Sequence, residues 1–92
     1  FGDMVKAVVD IEGHILAVGG ELHADGEKLL MSKGSEQKNL WGFNIYPEKP
    51  KEEMLEFTSL INIRPREGNR SMEIKDETLR KKIADIVFSM IT

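Results

Sequence analysis

No cysteine occurs among the 92 residues. Disulfides and thiolate metal sites are therefore excluded, and the composition fits a reducing cytosol. No run approaches the roughly 20 apolar residues that a membrane helix needs, and the N-terminus carries no signal-peptide pattern. There is no basic excess either: the net charge is −3. Long nucleic acids are usually captured by a basic footprint, so the balance argues against such a partner. No Walker loop, dinucleotide fingerprint, nucleophile elbow or zinc motif is present, so no cofactor is implied. Internal repeats and low-complexity tracts are also missing.

What is there reads as an ordinary globular protein, with 40% apolar and 32% charged residues. The length predicts one domain, residues 1–92, with a stability on the order of 5–10 kcal/mol. Residues 4–10 are short and β-branched, and 15–18 form a second apolar run. Together they predict an antiparallel hairpin, with Gly13 supplying a positive φ in the turn. A short helix is expected at about 24–33, with Asp25 as N-cap and Gly34 as the residue that ends it. Gly26 costs this helix stability but permits close packing on a sheet. A third strand runs from Leu40 to Tyr46 and stops at Pro47; a fourth runs over 55–64 and stops at Pro65. Asp76 caps a last helix whose apolar face is Leu79, Ile83, Ile86, Val87, Met90 and Ile91. The expected fold is α+β: about four antiparallel strands in the order β-β-α-β-β-α, with the helices packed on one face.

Period two sorts the strand side chains. Trp41, Phe43 and Ile45 share one face of the third strand, and Leu40, Gly42, Asn44 and Tyr46 share the other. In the fourth, Thr58, Asn62 and Arg64 oppose the apolar Phe57, Ile61 and Ile63. Asn44, Thr58, Asn62 and Arg64 thus gather into one polar surface. The first strand is expected at a sheet edge guarded only by Lys6, which leaves a homodimer through that edge open.

Three segments resemble a family of small bacterial and archaeal proteins with a domain of unknown function. They are Gly-Glu-Leu-His-Ala-Asp at 20–25, the stretch 34–47 with Leu-Trp-Gly-Phe-Asn-Ile-Tyr-Pro, and Ser-Leu-Ile-Asn-Ile-Arg-Pro-Arg-Glu-Gly-Asn-Arg-Ser at 59–71. The resemblance runs from Met4 to the end. It implies a further N-terminal segment before Phe1 and brings no activity, cofactor or catalytic residue.

Three functional readings follow from the residues. In the first, a cytoplasmic domain binds a small anion that bears phosphate or carboxylate, a nucleotide included. Arg64 and Arg70 supply bidentate forks, Asn69, Asn62 and Asn44 orient the ligand, and Gly68 turns the loop back. The simpler reading of the same loop is a solvated one, its arginines paired with Glu67, Glu73 or the acidic loop. In the second, the chain is a phosphate-ester hydrolase that uses His23 with Glu21, or a metal near Glu21 and Asp25. Against it, Asp25 reads as a cap, and Glu21 and His23 as ordinary helix-start residues. The third is a protein-interaction module in which Arg66 and Arg70 meet an acidic partner. Trp41, Phe43 and Tyr46 form a stacking platform for bases only if exposed; their spacing favours core. His14 reads as an exposed turn residue.

Overall fold

The structure is a computed structural model and describes residues 4–91, with side chains through Met90. Four strands, β1 (Val5–Asp10), β2 (Ile15–Val18), β3 (Leu40–Ile45) and β4 (Leu55–Glu56), form one antiparallel sheet in the order β2-β1-β3-β4, and two helices complete an α+β fold.

β1 (Val5–Asp10) and β2 (Ile15–Val18) pair as the expected hairpin, with Val8 opposite Ala17. The turn is held by the side chain of Asp10. Its Oδ1 accepts from the Glu12 and Gly13 N–H groups at 2.9 and 2.8 Å, and its Oδ2 accepts from Ser35 Oγ at 2.6 Å. The positive φ belongs to His14, at 54°, and not to Gly13. Glycine is needed at 13 for space instead: a Cβ there would stand 2.9 Å from Asp10 Oδ2.

Burial alone would raise the pKa of Asp10, but the bonds from Ser35, Gly13 and Glu12 outweigh it and hold the carboxyl below its ordinary value. With a depressed folded-state pKa, the unfolded chain takes up the proton first. The stabilisation is therefore complete above the unfolded carboxyl's pKa of about 3.9 and is lost as pH falls through the folded value. We expect the urea midpoint to drop on acidification below about pH 4, and the Asp10→Asn protein to lose part of that dependence. Identical acid profiles for the two proteins would show that Asp10 does not carry it.

α1 (His23–Ser32) begins slightly earlier than its pattern predicts. Leu22 stands at the N-cap without a side-chain acceptor, and Asp25 lies in the first turn instead of capping it. The helix ends as expected. Gly34, with φ 105°, donates to Met31 O at 3.1 Å, and Ser35 N donates to Leu30 O at 3.0 Å, which closes a Schellman turn. Gly26 lies against the sheet, where a Cβ would come within 2.9 Å of Val8 Cγ2.

β3 (Leu40–Ile45) is buried along its whole length and pairs with β1 on one side. β4 does not extend over 55–64. It comprises Leu55–Glu56, after which the chain leaves the sheet. The reason lies in a competing partner. Ser59 N donates to Met72 O and Ile74 N to Phe57 O, each at 3.0 Å, so residues 57–59 pair with 72–74 instead of with β3.

α2 (Glu77–Ile91) is capped by Asp76 as expected: its Oδ1 accepts from Thr78 N at 2.9 Å and Leu79 N at 3.3 Å. Ile83, Ile86 and Val87 are buried, Leu79 is half-buried and Met90 is exposed. The side chain of Ile91, also placed on this face by its spacing, lies outside the described residues.

The helices do not share a face. One apolar cluster joins Ala7, Val9, Trp41, Phe43 and Ile45 to Ile83, Ile86 and Val87 of α2. The other joins Val8, Ala17 and Leu40 to Leu30 of α1. β1 and β3 carry apolar side chains in both alternating sets, so both faces must be covered. β1 is also not an edge. It lies between β2 and β3, and Lys6 sits opposite Asn44 in the interior of the sheet.

Candidate functional site

The early end of β4 leaves the outer side of β3 without a backbone partner past Asn44 and Ile45. Side chains from residues 57–74 close that edge. In strict continuation each step back along β3 is one step forward along β4, so Gly42 would face Thr58 and Leu40 would face Leu60. Instead the single-turn 3₁₀ helix Leu60–Asn62 intervenes, and the partners come four residues later. The Asn62 carboxamide stands in for a peptide unit: Oδ1 accepts from Gly42 N at 2.8 Å, and Nδ2 donates to Gly42 O at 2.9 Å. Nδ2 also donates to Met72 O at 3.1 Å. Arg64 follows in the same sense. Its Nε donates to Ile61 O at 3.0 Å, Nη1 to Gln37 O at 2.6 Å and Nη2 to Leu40 O. Its guanidinium also stacks 4.2 Å from the Trp41 ring centroid. Burial pushes its pKa below the usual range, with Glu27 and Glu67 opposing.

Asn69 serves the same loop. The backbones of Arg64 and Asn69 exchange hydrogen bonds of 2.7 and 3.1 Å across the turn at Gly68, whose φ is 80°. Its Nδ2 donates to Asn62 O and Ser71 O at 2.8 Å and to Glu73 O at 3.0 Å, and Oδ1 accepts from Lys75 N at 3.2 Å. Of the residues expected to hold an anion, Arg64, Asn62 and Asn69 therefore direct their donors at backbone carbonyls. Arg70 is exposed, and no hydrogen bond or ion pair engages it or Arg66 among the described residues.

Asn44 lies elsewhere, on the α1 face of the sheet, beside a groove of about 340 Å³. Lys6 and His23 line this groove, with Leu22, Ala24, Thr58, Ser59, Leu60, Ile61 and Met72. It forms because α1 covers only one end of this face and the Ser59–Asn62 turn covers another. Gly42 lets that turn approach; a Cβ there would lie 2.7 Å from both Ser59 Cβ and Oγ. The wall is apolar, with Leu60 71% exposed and Leu22 60% exposed at its rim.

The polar groups of the groove are few and differently committed. His23 Nε2 lies 2.7 Å from Phe43 O, an acceptor only, so Nε2 carries the hydrogen and a neutral ring keeps its lone pair on Nδ1. Asn44 Nδ2 donates to Glu56 Oε1 at 2.8 Å and to Thr58 O at 3.4 Å. Asn44 Oδ1 is buried and accepts no hydrogen bond. Tyr46 OH also donates to Glu56 Oε1, at 3.0 Å, which raises the phenol's pKa. Lys6 makes no ion pair or hydrogen bond with its ammonium among the described residues. The first N–H groups of α1, at His23 and Ala24, have no capping side chain.

His23 and Arg64 address different parts of β3, at Phe43 and Leu40. Glu21 precedes α1 and is exposed, and Asp25 is exposed within its first turn. Among the described residues no three His, Asp or Glu side chains are grouped to hold a metal ion. Trp41 and Phe43 are buried, as their period predicts, and offer no stacking platform.

Lys6 and the Leu60 and Met72 rim have no place in the sequence reading of a ligand site. The signal for Lys6 was present: a lone cation inside a β-branched strand must reach solvent or a partner. The rim had no such signal, because Leu60 reads as strand.

Comparison with protein families matches residues 1–90 to the family described as Protein of unknown function (DUF5674). No curated protein and no solved structure matches the chain.

Proposed function

We propose that this chain, which belongs to the DUF5674 family, is a binding domain for a small amphipathic anion that sits in the Lys6–Asn44 groove. The carboxylate or phosphate lies between the Lys6 ammonium and the uncapped start of α1. The apolar part lies along Leu22, Leu60, Ile61 and Met72. The observation that carries this reading is the pair Lys6 and Asn44, opposite each other in register, with the ammonium and Oδ1 both uncommitted among the described residues. A buried acceptor without a donor costs about 1–3 kcal/mol. An anion that draws Lys6 across the groove relieves that cost and neutralises the ammonium together. The N-terminal end of a helix adds a favourable field for the same charge. The lining favours a ligand with an apolar body over bare phosphate. A chain without cysteine suits the reducing cytosol of a prokaryote, where such a ligand would be a metabolite.

The test uses octanoate and inorganic phosphate as probes in an amide NMR titration. Octanoate is expected to shift Lys6, His23, Ala24, Asn44 and Ile61 together and to raise the melting temperature. Phosphate alone is expected to move only the residues around Lys6 and the start of α1, and Lys6→Ala to remove both responses. Shifts at Asn69 and Arg70 with a silent groove would place the anion on the arginine loop instead. No shift with either probe would refute binding at both places.

The hydrolase reading keeps one observation in its favour: His23 borders the same groove with a free Nδ1. It predicts turnover of p-nitrophenyl phosphate that is lost in His23→Gln. Binding without turnover separates the two readings.

A further inference from the structure

We propose that β2 pairs antiparallel with β2 of a second copy of this chain, about a twofold axis through Ala17, and joins two four-stranded sheets into one. The phase of β2 fixes which groups are available. Gly19 N donates to Lys6 O at 2.8 Å, so Gly19, Ala17 and Ile15 turn their backbone groups towards β1. Alternation leaves the N–H and C=O of Leu16 and Val18 pointing outward, on an edge that no other strand of the described residues covers.

This edge lacks the usual guards. Ile15, Leu16, Ala17 and Val18 include no charge and no proline, and the four register pairs with β1 run without a bulge. The opposite edge is treated differently: β4 is two residues long, and the side chains of Asn62 and Arg64 close β3 beyond it. The flanks of β2 are apolar as well, with Val18 59% and Ile15 44% exposed. Glu27 of α1 accepts from Gln37 on the β3 side. Leu29, about 200° further round the helix, therefore lies on the β2 side, where it is 49% exposed.

The occupant is a second copy because the edge complements itself. Two outward residues spaced about one small residue give two donors and two acceptors in twofold arrangement. Leu16 of each copy meets Val18 of the other in a hydrogen-bonded pair, so four backbone bonds form. The two Ala17 residues face each other in the closely spaced, non-hydrogen-bonded position. A methyl group fits there. With the axis perpendicular to the sheet, both α1 helices lie on one face and both Leu29 side chains flank the seam.

Light scattering after size exclusion, with amide hydrogen exchange on the same sample, tests the pairing. The expected mass is twice the 10.4 kDa of the chain, with the Leu16 and Val18 amides protected. Val18→Lys is expected to shift the mass to that of one chain and to expose both amides, while the Val9 and Phe43 amides stay protected. Ile15→Lys, with its charge beside the same seam, serves if Val18→Lys does not fold. A wild-type mass of one chain overturns the proposal. So does a dimer whose Leu16 and Val18 amides exchange like loop amides, or one that persists in the folded lysine variant.

Discussion

Asn62→Ala is expected to destabilise the protein by about 3–5 kcal/mol, the range reached when several buried groups lose their partners at once. Asn62 is fully buried, and its carboxamide serves both backbone groups of Gly42 and the carbonyl of Met72. Removing it leaves the buried N–H and C=O of Gly42 on the outer side of β3 without the side chain that serves them. Against a total of about 5–10 kcal/mol, such a loss brings the chain near unfolding at room temperature. Asn62→Asp is the sharper variant, since volume and shape are kept. An ionised carboxylate still accepts from Gly42 N but sets its charge against two carbonyl oxygens. We expect it to cost as much as alanine at neutral pH and less when protonated. Urea midpoints of the three proteins decide the matter: an aspartate variant as stable as the parent would show that the carboxamide does not close this edge.

Ile83→Ala is expected to lower stability by about 2–4 kcal/mol, from lost transfer free energy and the cavity left behind. Ile83 is fully buried in the cluster that joins α2 to Val9, Trp41 and Phe43. No second α-helix of the described residues covers that face, because α1 lies on the other side of the sheet. The surroundings can collapse only by moving α2 itself. Met90, near the end of the same helix and exposed, provides the contrast. Met90→Ala should change stability by no more than about 0.5 kcal/mol. A loss below that figure for Ile83→Ala would make α2 peripheral to the fold.

Both predictions concern groups whose importance the sequence discloses unequally. The spacing of Leu79, Ile83, Ile86 and Val87 marks a buried helical face, because a 3.6-residue period is a local property. Asp76 as cap and Gly34 as helix end are equally local. Each needs only a few neighbours along the chain to be understood. The second helix-covered face was also visible in part: Val8 beside Val9 and Leu40 beside Trp41 are adjacent apolar residues in strands, which point to opposite sides.

The fate of residues 57–74 was not legible. Leu60, Ile61, Asn62, Ile63 and Arg64 alternate as a strand does, and nothing local contradicts that. The choice was made at long range, where residues 57–59 pair with 72–74 and draw the chain away from β3. Once this happened, Asn62 and Arg64 became the substitute for the missing strand, their side chains bonded to Gly42 and Leu40. The groove has the same origin. Lys6, His23, Asn44 and Leu60 are far apart in sequence, and each belongs to a different segment. The sequence by itself determined the hairpin, both helices and the apolar face of α2, since periodicity and capping act over a few residues. Only the tertiary structure decided where the sheet ends, which donors remain unengaged and which polar groups share a groove, because pairing between distant segments sets all three.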